Sequence, residues 1–89
     1  MPQSRREVNL TREAISGLYA LGRGDPTLAA IGLLLDEMKR GNLPEKAKPL
    51  ADLPHGYEVD VDTVRIAYQD IPAGPLKILT IERREMDLE

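Results

Sequence analysis

The sequence predicts one α+β domain over residues 1–89, with a helix hairpin packed on one face of an antiparallel sheet in the order β-α-α-β-β-β. The first half of the chain carries two segments with apolar residues at helical spacing, each bounded by capping residues. The second half carries three short runs in which apolar and polar residues alternate, as in half-buried strands. The links between these runs are too short for a parallel crossover, so the strands must be antiparallel neighbours.

The first two elements are a short strand and a helix. In RREVNL, Val8 and Leu10 are apolar at alternate positions, which indicates a strand. In TREAISGLYALGRG, Thr11 suits the N-cap and Gly22 the end of a helix. Gly17 weakens this helix by about 1 kcal/mol relative to alanine, unless it lets another element approach closely. The apolar face of the helix comprises Ala14, Ile15, Leu18 and Leu21.

The second helix is predicted in GDPTLAAIGLLLDEMKRGN. Asp25 is a suitable N-cap, Pro26 occupies the first helical position and Gly41 ends the helix. The short connection between the helices favours an antiparallel hairpin. The predicted buried stripe contains Leu28, Ile31, Leu35 and Met38, and Leu34 widens it.

The last part of the chain predicts a loop and three strands. NLPEKAKPLADLPHG has three prolines and is expected to form a surface loop. The strands are YEVDV, VRIAYQDI and LKILTIERRE, joined by the turns DT and PAGP. Alternation places Tyr68 on the apolar face of the middle strand and Arg65 on the other. Because the helices cover only one face of the sheet, function is expected on the open one.

Composition excludes several classes of site. The chain has no cysteine and one histidine, so disulfides, thiolate nucleophiles and His-based zinc sites are excluded. No apolar run is long enough for a membrane span and the first residues do not form a signal peptide, so we expect a cytoplasmic protein. A net charge of −3 and a pI near 5.1 argue against strong direct binding of nucleic acid. No cofactor is expected.

The order of these motifs resembles the RelE/ParE superfamily of bacterial type II toxins over nearly the whole chain. VNLTREAISGL is similar to the family's first strand and alanine-containing helix, and KPLADLPHGYEVDV to its loop before a Tyr-headed strand. VRIAYQDI is close to the family's YR strand, and LKILTIERRE to its closing strand with basic residues. The resemblance implies a small cytoplasmic toxin that a cognate antitoxin protein holds inactive.

The resemblance also implies candidate site residues. RelE-type members cut mRNA on the ribosome, and in that group Arg65 and Arg84 match the arginines that stabilise the scissile phosphate. A guanidinium suits this role because it presents several donors to phosphate oxygens. The candidates for substrate binding are Arg83, beside Arg84, the lysines of the KAK segment, Lys46 and Lys48, and the loop histidine His55.

Two departures from the RelE pattern concern the same face. Glu58 and Asp60 stand where RelE-type enzymes carry lysines, and the C-terminal tyrosine of those enzymes would fall past Glu89. The acids would repel phosphate and pair with the arginines, although a carboxylate can also serve as a general base. Glu58, Asp60 and Asp62 could suggest a metal site, but residues two apart on a strand lie about 7 Å from each other. We therefore expect no metal.

Three functions remain open. The preferred one is a RelE-like toxin that inhibits translation by ribosome-associated mRNA cleavage, with the ribosome and mRNA as partners. The alternatives are a ParE-like toxin that binds DNA gyrase without chemistry of its own, and an inactivated homologue that acts as a protein-interaction module. In the plainest interpretation, Glu58, Asp60, Arg65 and Arg84 form ion pairs that keep an exposed sheet soluble.

Overall fold

The computed structural model describes residues 6–84, in which two helices pack against one face of a five-stranded sheet. The elements are β1 (Val8–Leu10), α1 (Arg12–Leu21), α2 (Pro26–Lys39), β2 (Lys48–Pro49), β3 (Gly56–Val61), β4 (Val64–Asp70) and β5 (Leu76–Arg83). Across the sheet the order is β1-β5-β4-β3-β2, and only β1 and β5 are parallel. The predicted α+β fold is confirmed. The structure adds β2 within the predicted loop.

Two predicted strands reach past the described residues. The first predicted strand begins at Arg5 and the last predicted strand ends at Glu85. Both of these residues lie outside residues 6–84. Within that range neither helix is long and apolar enough to cross a membrane.

Both helices begin at the predicted N-cap residues and α1 ends at the predicted Gly22, whereas the C-cap of α2 is Arg40, one residue before the predicted Gly41. The hydroxyl of Thr11 accepts from the Ala14 amide at 3.1 Å, and the Asp25 carboxylate accepts from the Thr27 amide at 2.9 Å. Gly22 ends α1 with φ 86°, a value that glycine adopts without strain. The prediction for Ile15 was wrong, because this residue is 42% exposed. The apolar stripe of α1 is therefore narrower than its sequence suggests.

Gly17 lies where α1 passes over β5. A Cβ atom built at this position would stand 1.8 Å from the carbonyl oxygen of Ile81. No side chain fits there, so only glycine lets α1 lie this close to β5. This close approach explains why a residue that weakens a helix stands inside α1. This contact fixes α1 against the second half of β5.

The core lies between the sheet and the helices. From the predicted stripe of α2, Ile31 and Met38 are fully buried, while Leu28, Leu34 and Leu35 are partly buried. The sheet contributes most of the other core residues, including Tyr68, whose ring stacks on Tyr57 with 5.7 Å between centroids. Burial raises the pKa of the Tyr68 hydroxyl to about 12. The apolar residues that are buried are Ala14, Ile31, Met38, Val59, Val64, Ile66, Tyr68, Leu76, Ile78 and Ile81.

A β-bulge interrupts the pairing of β4 with β5. Tyr68 pairs with Ile78, but its neighbour Ala67 pairs with Thr80, so Leu79 is an extra residue in β5. An extra residue reverses the facing of every later position in its strand, because strand side chains alternate with a period of two. The last residues of β5 therefore face opposite ways from those that strict alternation predicts.

Arg6 anchors the beginning of the described chain. Its guanidinium donates to Asp70 at 2.7 Å and to the carbonyl oxygens of Ile71 and Gly74 at 3.1 and 2.8 Å. The half-buried Arg6 side chain thus ties the segment before β1 to the turn between β4 and β5. No local pattern in the sequence identifies this contact, since it joins residues more than sixty positions apart.

Candidate functional site

The open face of the sheet, opposite the helices, carries two rows of mostly polar side chains. Residues that pair directly across neighbouring strands share a face, so the register assigns each position. One row contains Asp60, Arg65 and Glu82, and the next contains Lys48, Glu58, Ala67 and Thr80. Of the four residues that the plainest interpretation groups on this face, the register places Glu58, Asp60 and Arg65 there, and Arg84 joins them through its contact with Asp60. Sequence alternation missed Glu82, because the bulge reverses its facing.

One carboxylate joins two arginines on this face. Arg65 Nε donates to Asp60 Oδ1 at 3.1 Å, and Arg84 Nη1 donates to Asp60 Oδ2 at 2.8 Å. Glu58 Oε1 lies 3.8 Å from the same Arg65 nitrogen. We call Asp60, Arg65 and Arg84 the Asp60 bridge. Its side chains are accessible to a ligand, since Arg65 is 50% and Asp60 42% exposed.

Asp60 and Arg65 each favour the charged form of the other. The hydrogen bond from Arg65 and, next, that from Arg84 hold the pKa of Asp60 below its usual value. Asp60 in turn raises the pKa of Arg65, mainly through the same hydrogen bond and then through its charge. The ion pairs that the plainest interpretation expects are therefore present. Exposed pairs of this kind contribute little to folding stability, so the bridge is not needed to hold the sheet together.

Arg83 lies on the other face. It pairs with the buried Val64, and its Nη2 atom lies 3.0 Å from Asp25 Oδ2 at the start of α2. The sequence groups Arg83 with Arg84, but the structure does not bring it to Arg65, because consecutive strand residues face opposite ways. The Thr27 amide and then Arg83 lower the pKa of Asp25. Arg83 thus holds the helix start against the end of β5.

The other predicted binding residues are divided by the structure. Lys48 pairs with Glu58 and so lies on the open face, whereas Lys46 lies in the turn before β2. His55 precedes β3 with φ 60°, and its carbonyl oxygen accepts from the Asp70 amide. It is five positions from Asp60, about 16 Å along the strand direction. The structure therefore brings Lys48, but neither Lys46 nor His55, to the neighbourhood of the Asp60 bridge.

The alternating acids do not form a cluster. Asp62 lies in the turn after β3 and accepts from the buried Thr27 hydroxyl at 3.2 Å, on the helix side. Glu58 and Asp60 face the opposite way. Within residues 6–84, no three His, Cys, Asp or Glu side chains lie close enough together to hold a metal ion. The chemistry of the open face rests on guanidinium and carboxylate groups.

Solved toxin structures share this fold. The chain is similar to the YoeB dimer structure from Staphylococcus aureus, with a TM-score of 0.72 and 18% identity over 92% of this chain and 100% of that one. A chain of the E. coli DinJ–YafQ toxin–antitoxin complex has a TM-score of 0.76 and 12% identity. That match covers 90% of this chain and 93% of the other. A chain of the RelBE2 toxin–antitoxin complex from Mycobacterium tuberculosis has a TM-score of 0.68 and 24% identity. That match covers 91% of this chain and 100% of the other.

These similarities confirm the RelE-like fold that the sequence motifs predict. Identities below a quarter show a common fold and leave activity to be argued from the site. No protein-family model and no curated protein matches the sequence.

Proposed function

We propose that this chain is the toxin of a type II toxin–antitoxin pair and inhibits translation by RelE-like cleavage of mRNA on the ribosome. The fold shared with chains of two toxin–antitoxin complexes supports a toxin role and an antitoxin partner. The observation that carries the proposal is the convergence of Arg65 and Arg84 on a single anionic group. A phosphate presents the same kind of paired oxygens to two guanidiniums.

The two arginines suit phosphodiester cleavage. Negative charge grows on the phosphoryl oxygens as the bond breaks, and donors aimed at that charge stabilise the transition state. Arg65 and Arg84 approach the same point from β4 and from the end of β5, so they would contact one phosphate from two sides. Lys48, farther along the open face, would add attraction for the neighbouring backbone phosphates.

The ribosome would supply the rest of the affinity. The net charge of −3 opposes capture of free RNA, so the substrate must be presented by a larger assembly. Antitoxin binding would use the exposed apolar side chains of the helices as well as the open face. Tyr19 and Leu33 are 82% and 68% exposed, and a partner segment that covers them would remove apolar surface from water.

A second candidate is a non-toxic interaction module. The Asp60 bridge favours it, because both arginines already have a carboxylate partner. Such a homologue would keep the fold and the antitoxin surface but bind phosphate poorly. The two candidates differ in whether the arginines act on a substrate, so one experiment separates them.

The test is growth of a bacterial host on induced expression, with the wild type beside Arg65→Ala/Arg84→Ala. We expect arrest by the wild type, new cleavage ends in ribosome-bound transcripts, and relief in the double variant. Arg23→Ala/Arg40→Ala is the matched control, since it removes two exposed arginine charges from the loop between the helices and from the end of α2, in the helix layer rather than on the open face. Circular dichroism of each purified protein establishes that it folds.

Three results would contradict the proposal. No arrest by folded wild type would favour the interaction module in that host. Arrest by both the wild type and Arg65→Ala/Arg84→Ala would move the activity to another surface. Arrest with DNA damage and intact transcripts would favour the ParE-like alternative.

A further inference from the structure

The Asp60 carboxylate lies between two guanidiniums, where an anionic ligand would lie. Each oxygen accepts from a different guanidinium, at 3.1 Å from Arg65 and at 2.8 Å from Arg84. Two arginines that share the oxygens of one anionic group form the arrangement expected for a phosphate site. In this chain the anion is supplied by the neighbouring strand, so the site is occupied by the protein itself.

We propose that Asp60 is an internal anion that closes the Arg65–Arg84 site to small phosphates and to free single-stranded RNA. The site then opens only for a phosphodiester that is also held by other contacts. Asp60 is in this sense a specificity-determining residue. The inference rests on the proposed function in that it takes a phosphodiester as the ligand of the site.

The way Asp60 is held allows it to be displaced. Its hydrogen bonds come from the exposed Arg65 and the partly exposed Arg84, and its own side chain is 42% exposed, so it can turn into water. Asp25 provides the contrast within the same molecule. That carboxylate is 15% exposed and accepts from the Thr27 backbone amide as well as from Arg83. A ligand could replace the first carboxylate without unfolding anything, but not the second.

Two other acids on the open face, Glu58 and Glu82, differ in their contacts with the Asp60 bridge. Glu58 lies 3.8 Å from Arg65 Nε and is in register with Lys48, so it has a cationic neighbour on either side. Glu82 is in register with Arg65, but the side-chain ion pairs of Arg65 and Arg84 among the described residues run to Asp60 and Glu58 only. Glu82 therefore carries the same charge on the same row without taking part in the bridge.

This difference provides a matched pair of variants. Asp60→Asn and Glu82→Gln each remove one negative charge from the same row of the open face. Binding is measured by following the Arg Nε–Hε NMR signals during titration with inorganic phosphate and then with a short oligouridylate. We expect Asp60→Asn to bind both probes about tenfold more tightly than wild type, because a like charge a few ångströms away is removed. We expect Glu82→Gln to change binding by less than about threefold, since a ligand would take the place of the Asp60 carboxylate between the two guanidiniums, whereas Glu82 lies outside the ion pairs of both arginines among residues 6–84.

Two further variants complete the test. Adding Arg65→Ala to Asp60→Asn should abolish the gain, and Asp60→Ser should reproduce the gain if the asparagine variant folds poorly. Equal tightening by Asp60→Asn and Glu82→Gln would overturn the inference, because net charge alone would then explain it. No tightening in folded Asp60→Asn or Asp60→Ser would overturn it too.

The binding test and the growth test fail independently. Tighter binding by Asp60→Asn together with a harmless wild type would leave the internal anion in place and refute the toxin. Arrest that depends on Arg65 and Arg84, without tighter binding by Asp60→Asn, would support the toxin and refute the internal anion.

Discussion

On the helix side of the sheet Arg83 binds Asp25, and on the open side Arg84 binds Asp60, although the two arginines are neighbours in the chain. The Asp25 carboxylate is mostly shielded and also caps α2 through the Thr27 amide. The Asp60 carboxylate is half exposed and has only side-chain donors. An ion pair tied to the backbone maintains the fold, whereas one between exposed side chains can be exchanged for a ligand.

The same difference extends to the surroundings of each face. The helix side depends on close contacts in which a single added atom is not tolerated, as at Gly17. The open side contains polar side chains with water on their outer surface, where substitutions disturb few neighbours. Changes on the helix side should therefore alter stability, and changes on the open side should alter binding.

The largest expected effect is that of Gly17→Ala. The new methyl group would meet the Ile81 carbonyl oxygen at 1.8 Å, so we expect a loss of about 3 kcal/mol in the free energy of unfolding. Helix propensity alone predicts the opposite sign, a gain of about 1 kcal/mol. Urea denaturation followed by circular dichroism measures the change.

Gly32→Ala is the control for that substitution. Gly32 lies inside α2, and a Cβ there would meet nothing within 4 Å, so alanine should stabilise the chain by about 1 kcal/mol. Stabilisation by both substitutions would show that α1 does not lie against β5 as the structure has it.

A smaller effect is expected for Arg6→Ala. The substitution removes the half-buried guanidinium, and with it the 2.7 Å contact to Asp70 and two hydrogen bonds to carbonyl oxygens. We therefore expect the free energy of unfolding to fall by about 2 kcal/mol. Arg40→Ala, which breaks an exposed 3.6 Å pair with Glu37, should leave the same urea midpoint unchanged. If both variants had the same urea midpoint, the Arg6 contact would contribute as little to stability as an exposed ion pair does.

The smallest effect concerns the acid titration of the two carboxyls. Both Asp25 and Asp60 have a folded-state pKa below the ordinary value, so each contributes stability above about pH 4 that is lost as the pH falls through the lowered pKa. Arg65→Ala should return the pKa of Asp60 most of the way toward its ordinary value, because Arg65 is its largest cause. Arg83→Ala should return that of Asp25 only in part, since the Thr27 amide remains.

Carboxyl-carbon NMR titrations of the wild type and both variants measure these pKa values. A full return of the Asp25 pKa in Arg83→Ala would contradict the comparison between the two faces. It would mean that the backbone contributes nothing to holding that carboxylate.

Much of the fold could be read from local patterns. Thr11, Asp25 and Pro26 mark helix starts because capping depends on residues within one turn of the chain, and the structure has them there. Alternation in β3 and β4 is equally local, and it correctly separates Tyr68 in the core from Arg65 on the open face. β2 was missed because two residues carry too little pattern to be distinguished from a loop.

The sequence by itself determined the order of the two helices and of β1, β3, β4 and β5, the starts of both helices, the faces of β3 and β4 and the presence of acids beside the arginine of β4. Only the tertiary structure decided that Arg84 joins Arg65 while Arg83 binds Asp25. That choice depends on the extra residue Leu79, whose bulge arises from pairing between strands and leaves no mark on the local alternation. Register is set by contacts across the whole sheet, and these join residues that are distant in the chain.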